Sequence, residues 1–421
     1  MRLRRIRLRG FRGFHDLEIE FDRQLTVLVG QNGAGKTSAL DALSIMLSQY
    51  IARLTKSASS GRRLAPSDVN MRSGEAHLEL QAHDDDFGDV IWSLLKSNKR
   101  QQLVKSRNSE LGELNEFVRA VATRQAGDLD YLIGETAAIY YDQRRAVLDI
   151  PKRKRTVPNH LPWTAFAEGL AFGGIDFRKL TYWFQERESI ELRRQRGRTR
   201  YVDPQLDAVR RAMTTATGFK DPFFNAEPPR GICVKKGREI LNFSQLSTGE
   251  QVFLALAGDL ARRLAILTPR SLDPLQGCAI VMIDELELHL HPLWQRVIIP
   301  WLLRTFPNCQ FIVSTHSPQV LGEVEAERIR ILLTRRGRVS IAIPDAAYGR
   351  DSNFLLASVL GATDRDPRTL SELAKIDHAI ARRDFDRARA IISSLKSRIE
   401  GAAPELAVAE ARVRRHAGNP S

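Results

Sequence analysis

Leu25-Thr-Val-Leu-Val-Gly30-Gln31-Asn32-Gly33-Ala34-Gly35-Lys36-Thr37-Ser38 is the stretch whose reading decides how this chain folds. Leu25 to Val29 is almost entirely apolar, the composition of a strand buried on both faces of a sheet. It runs straight into Gly-x4-Gly-Lys-Thr, and a helix-like segment at 38–49 follows. Strand, glycine-rich turn and helix, in that order, form the context a phosphate-binding loop requires. Glycine allows backbone N–H groups to close on phosphate oxygens, and the helix N-terminus adds its dipole. Gly30, Gln31, Asn32, Gly33, Ala34, Gly35, Lys36, Thr37 and Ser38 are therefore the expected nucleotide-binding residues. Lys36 is placed to reach the β- and γ-phosphates, and Thr37 to ligate Mg²⁺.

A second stretch supports the first. Ala279-Ile-Val-Met-Ile-Asp284-Glu285 is an apolar strand ending in two carboxylates. Asp284 suits the shell of Mg²⁺, and Glu285 is placed to activate an attacking water. Between and beyond these motifs, strand patterns alternate with helical ones: a helix at 249–267, the strand 279–283, a helix at 292–303 and a strand at 310–313. That alternation predicts an α/β fold with a largely parallel sheet. Residues 88–125 look helical and polar, and Ile232–Val234 and Ile240–Phe243 read as a hairpin turning at Gly237. A short apolar strand at 136–141 leads to Gln143.

Leu246-Ser247-Thr248-Gly249-Glu250-Gln251, just before a helix, resembles the signature sequence of ABC-type ATPases. Ser247 as N-cap with Glu250 three residues on is also a plain capping box, and the two readings are compatible. Together with Phe11-Arg-Gly-Phe14, Glu287-Leu-His-Leu-His-Pro292 and Ser314-Thr-His316-Ser-Pro318, these motifs resemble the RecF/SMC-like ABC ATPases. More narrowly, the chain resembles the predicted ATP-binding proteins of the Septu (PtuA-type) and retron-associated anti-phage systems. The resemblance covers residues 1–345 well and reaches into the segment opening at Tyr348.

It implies an ABC-type P-loop NTPase head that binds and hydrolyses ATP with Mg²⁺. It also implies that Gln143 is the metal-shell glutamine, that Glu285 is the base and that His316 senses the γ-phosphate. Ser247 and Gly249 would touch the nucleotide of a second protomer in a homodimer, and a separate HNH nuclease subunit would be the partner. Leu286 stands where the family usually has Pro, a departure that touches no ligand. About 210 residues without heptads separate the loop from the signature, too few for the long coiled coil of an SMC protein. Residues 345–421 show no acidic cluster of the nuclease type. A RecF-like repair ATPase and an ATP-gated scaffold that regulates an effector or toxin are the alternatives.

Composition sets the outer limits. The chain has 421 residues, 43% of them hydrophobic and 27% charged, which excludes global disorder. No apolar run approaches the ~18–20 residues that span a bilayer, so no membrane role is expected. Three scattered cysteines form no disulfide framework, which suits a reduced, cytoplasmic protein. The formal net charge is +14, and residues 144–200 hold 14 Lys/Arg against 6 Asp/Glu. That basic stretch, interleaved with aromatic residues, predicts contact with DNA or another nucleic acid. The expected organisation is 1–143, the first part of the head; 144–230, a basic helical insertion; 231–345, the second part of the head; and 346–421, a helical partner-binding region.

Overall fold

The computed structural model describes residues 1–55, 61–97, 109–124, 135–143, 166, 169–170, 174–196, 201–361, 366–399 and 403–417. They divide into two compact units, Met1–Leu360 and Gly361–Ser421.

The larger unit is α/β. Among the described residues its central sheet runs β13-β12-β3-β11-β10-β6. These strands are β3 (Leu25–Gly30), β6 (Ala137–Tyr141), β10 (Ala279–Ile283), β11 (Gln310–Ser314), β12 (Ile329–Arg335) and β13 (Arg338–Ala342). All neighbours pair in parallel except β12 and β13. β3, β6, β10 and β11 are buried at every position, as uninterrupted apolar runs in a covered parallel sheet must be. β3 therefore sits between β11 and β12, and β10 lies between β11 and β6.

An antiparallel sheet in the order β2-β1-β4-β5 adds β1 (Arg2–Phe11), β2 (Phe14–Glu20), β4 (Glu75–Asp84) and β5 (Gly88–Ser97). The strand β5 corrects the helical reading of residues 88–125. Val90, Trp92 and Leu94 alternate inward and pair in register with Ala82, Leu80 and Leu78 of β4. The half-exposed Ile91 masked this period-2 pattern in the sequence. Among the described residues of the segment the helix is α2 (Gly112–Arg124), which follows α1 (Lys36–Leu54). A third sheet, β7 (Lys220–Asn225), β8 (Gly231–Lys236) and β9 (Glu239–Asn242), includes the expected hairpin, with Gly237 at φ +63°.

The basic segment does not stand apart as a helical subdomain where it is described. Its helices α3 (Phe177–Gln195) and α4 (Pro204–Thr217) share one hydrophobic core with the head. Phe177 stacks on Phe243 with ring centroids 3.8 Å apart. Leu180 packs so closely on helix α5 (Thr248–Leu267) that a Cβ on Gly258 would meet its Cδ2 at 2.9 Å. The run Pro151-Lys-Arg-Lys-Arg155 and residues 197–200 lie outside the described residues.

Among the described residues this unit also has α6 (Pro292–Thr305), α7 (Pro318–Leu321) and α8 (Ser352–Ser358). Leu355 and Val359 are buried in its core, which carries the boundary past residue 346 to Leu360. The smaller unit has its own core. Ile376, Ile380, Ile392, Leu395, Leu406 and Val413 meet there from α9 (Pro367–Ala381), α10 (Phe385–Lys396) and α11 (Pro404–Ala417). Among the described residues, no helix is long and apolar enough to cross a membrane.

A buried charge cluster ties α5 to the central sheet. Asp259 of α5, fully buried, accepts from Arg262 and Arg263 at 2.7 Å each and from the Tyr141 hydroxyl of β6 at 2.9 Å. Burial would raise its pKa, but the two guanidinium groups overcome that and hold it below the ordinary carboxylate range. Removing one partner of such a cluster leaves uncompensated buried charge. Asp259→Ala is expected to cost about 3–5 kcal/mol in urea-induced unfolding. A loss under about 1 kcal/mol, the scale of an exposed pair, would show that the cluster contributes little.

Candidate functional site

The site lies where the C-terminal ends of β3, β6, β10 and β11 meet. β3 ends at Gly30, and the loop from Gln31 to Gly35 turns into α1, with Gly33 and Gly35 at φ +81° and +102°. Gln31, Asn32 and Gly33 are exposed, Ala34 is buried and Ser38 is half-buried. Gly35 is required twice, by its left-handed backbone and by its neighbour: a Cβ would lie 2.5 Å from Cζ of Phe14. The aromatic residue that closes Phe11-Arg-Gly-Phe14 is thus the floor of the loop. Arg12 of that motif is held by two carboxylates. It donates to Asp41 at 2.7 Å and Asp68 at 3.0 Å.

Asp284, at the end of β10 and fully buried, gathers the polar groups of this region. Thr37 Oγ1 donates to its Oδ2 at 2.8 Å, and Gln143 Nε2 approaches the same oxygen at 3.4 Å. Its Oδ1 accepts from the Ser314 hydroxyl. The parallel pairing of β6 with β10 brings Gln143 here, since Asp284 N also donates to Tyr141 O at 2.8 Å. The Thr37 hydroxyl and the Asp284 carboxylate put hard oxygen donors at one point, which fits Mg²⁺, and Gln143 would add a third by turning its amide over.

Lys36 Nζ donates to Gly30 O at 3.1 Å and contacts Nε2 of His316. Burial lowers the Lys36 pKa, against the pull of Glu285, Asp284 and Glu287. Burial and the Lys36 charge also lower that of His316, which favours the neutral imidazole. Glu285 Oε1 lies 3.4 Å from His316 Nε2. Its backbone sits at φ +49°, a left-handed conformation that costs a non-glycine residue energy and is typical of functional sites. Burial first, then the charges of Glu287 and Asp284, push its pKa up to about 7. Lys36, Thr37, Gln143, Asp284, Glu285 and His316 therefore converge.

Ser247 and Gly249 occupy the start of α5. Ser247 caps the helix: its hydroxyl accepts from Glu250 N at 3.4 Å and its own N–H donates to Glu250 Oε2 at 2.9 Å. Its side chain is nevertheless exposed, as is Thr248. Gly249 abuts the loop after β10, where a Cβ would meet His289 O at 2.5 Å. Past that loop, His291 Nδ1 accepts from Leu293 N at 3.3 Å and so caps α6.

A family model described as "AAA domain, putative AbiEii toxin, Type IV TA system" matches residues 25–322. The chain belongs to this family. It is similar to the "Retron Ec83 probable ATPase" of Escherichia coli, with 28% identity over 87% of this chain and 77% of that one. It is equally similar to the "Retron Vc95 probable ATPase" of Vibrio cholerae serotype O1 biovar El Tor, at 28% over 88% and 81%. Septu protein PtuA of Bacillus thuringiensis is 21% identical over 90% of this chain and 89% of its own. The chain is an ATPase of the AAA family.

Two residues of the site escaped the sequence reading. Ser314 fixes the Asp284 carboxylate, and its hydroxyl also accepts from Glu285 N at 2.8 Å. Glu287 takes the Thr315 hydroxyl at 2.7 Å and His316 N at 2.6 Å. Their partners lie about thirty positions away, so only the position of Glu287 two residues past Glu285 offered a hint.

Gly35→Ala is expected to cost about 1–3 kcal/mol, the range for overpacking and for a strained backbone. The measurement is urea unfolding beside Gly35→Ala/Phe14→Leu, where a smaller side chain should restore part of the loss. No loss in the single variant would mean the loop does not depend on this contact.

Proposed function

We propose that this chain is the ATP-hydrolysing subunit of an anti-phage defence complex, acting as a homodimer that controls a separate HNH-type nuclease. The observation that carries the catalytic part is the convergence of Thr37 and Gln143 on Asp284, beside Lys36, Glu285 and His316. The defence context is supported by the likeness to the retron and Septu proteins over most of their lengths. The nuclease partner rests on the Septu likeness.

In this reading the backbone from Gly30 to Ser38 and the Lys36 ammonium hold the β- and γ-phosphates of ATP. Lys36 exchanges its contacts with Gly30 O and His316 for phosphate oxygens. Mg²⁺ would be held by Thr37, Asp284 and Gln143 and would neutralise charge on those phosphates. Glu285 orients the attacking water and takes its proton, and its environment supports that role by making it a stronger base than a free carboxylate. His316 donates toward the γ-phosphate. Ser247 and Gly249, exposed or half-exposed at a helix start, close the site of a second copy. Burying the triphosphate between two copies makes assembly depend on nucleotide, which is a usable switch. The helical unit 361–421 is the surface we assign to the effector.

DNA contact is assigned to the basic segment. Arg193, Arg194 and Arg196 at the end of α3 are exposed, whereas Arg187 and Arg210 are matched with Asp203, Glu188 and Glu191. Arg198 lies outside the described residues.

Glu285→Gln should bind ATP with unchanged affinity and hydrolyse it about 10²–10⁴-fold more slowly, the usual contribution of a general base. Hydrolysis within a fewfold of the parent would remove Glu285 from the chemistry. Native mass spectrometry of the assembly purified from its own operon, with and without ATP, tests the partners. A dimer joined by a small HNH protein supports the proposal, and a dimer alone removes the nuclease from it. Replacing Arg193, Arg194 and Arg196 with Gln should weaken DNA binding and flatten its salt dependence by up to about one unit of slope per lost phosphate contact. An unchanged slope would move the DNA surface elsewhere.

A further inference from the structure

We infer that Glu287 is a positioning residue for ATP hydrolysis, the group that sets where the His316 imidazole stands; this rests on the hydrolytic reading above. Glu287 lies on the loop after β10 and His316 on the loop after β11, so no local sequence constraint holds them together. Each oxygen of the Glu287 carboxylate accepts a bond from that second loop, and the side chain also meets that of Glu285. Oε1 accepts from the backbone N–H of His316 at 2.6 Å, and Oε2 from the Thr315 hydroxyl at 2.7 Å. Two bonds to successive residues fix both position and rotation of the segment, as a single bond would not. Bonds to an ionised acceptor are about twice as strong as neutral ones.

The anchor itself is held. Leu290 N donates to Glu287 O at 2.8 Å, Leu288 N to Glu285 O at 2.9 Å, and Leu286 N to Ser314 O at 2.9 Å. The loop that carries Glu285 is thereby built on the strand that leads to His316. The imidazole itself meets Lys36 and Glu285 among its described polar contacts, and both are groups that would turn to nucleotide and water. Once Lys36 turns to phosphate, the backbone grip of Glu287 is what keeps His316 in place. Positioning within about 1 Å is worth up to a hundredfold in rate, so loosening this grip reaches the chemistry.

Three variants of the full chain test this. Glu287→Ala frees the His316 segment. Glu287→Gln keeps both bonds, because its amide oxygen accepts from His316 N–H while its amide N–H donates to Thr315 Oγ1. Thr315→Val removes one bond only. We expect Glu287→Ala to lower kcat about tenfold or more with KM for ATP nearly unchanged, the pattern of an interaction needed only in the transition state. Glu287→Gln should restore kcat to within a fewfold of the parent. Thr315→Val in the Glu287→Ala background should add little, since the partner is already gone. Parent-like kcat in Glu287→Ala overturns the inference. So does a loss confined to KM, or a Glu287→Gln as impaired as Glu287→Ala. If Glu287→Ala does not fold, Glu287→Gln and Thr315→Val decide, with parent-like and lowered kcat expected respectively. A parent protein that hydrolyses no ATP strikes the hydrolytic reading itself, a result distinct from any of these.

Discussion

A single carboxylate, that of Asp284, holds the site together. A charge taken fully out of water is tolerable only with hydrogen bonds on its lone pairs. Here the donors are Thr37, Ser314 and Gln143, each delivered by a different chain segment around the sheet. Thr37 follows β3, Ser314 ends β11 and Gln143 follows β6. The strand order β3-β11-β10-β6 is the arrangement that brings those three ends to the end of β10. In open α/β sheets ligands bind outside the carboxyl ends of the strands, and this site obeys that rule.

The same geometry crowds charge. Lys36 stands among Asp284, Glu285 and Glu287, and burial together with these neighbouring charges shifts the proton affinities of Lys36 and Glu285. The charges of Glu287 and Asp284 make Glu285 harder to ionise, while burial reduces the screening water would supply. Glu285 thus retains its proton nearer to neutrality than a solvated carboxylate does. Its left-handed backbone is held by the neighbouring strand, through Glu285 N to Ser314 Oγ and Leu286 N to Ser314 O.

The start of α5 is linked to this centre by a second buried cluster. Asp259, three turns along the helix that Ser247 caps, reaches Tyr141 two residues before Gln143. A helix therefore joins the exposed Ser247 and Thr248 to the strand that leads into Gln143.

The linear motifs determined the α/β class, the glycine-rich loop and the roles open to Lys36, Thr37, Asp284 and Glu285. That is because a phosphate cradle must be made from consecutive backbone N–H groups, and a buried parallel strand must be an unbroken apolar run. The hairpin at Gly237 was legible for the same local reason. β5 was not, because a half-exposed isoleucine blurred its alternation. Phe14 beneath Gly35, Ser314 on Asp284 and Glu287 on His316 were decided by tertiary structure alone. Their partners lie between about twenty and thirty residues away, and a hydrogen bond or a ring contact across that distance leaves no period in the chain. The basic segment shows the same division: its charge is visible in the composition, but only packing shows that its helices α3 and α4 belong to the core of the head.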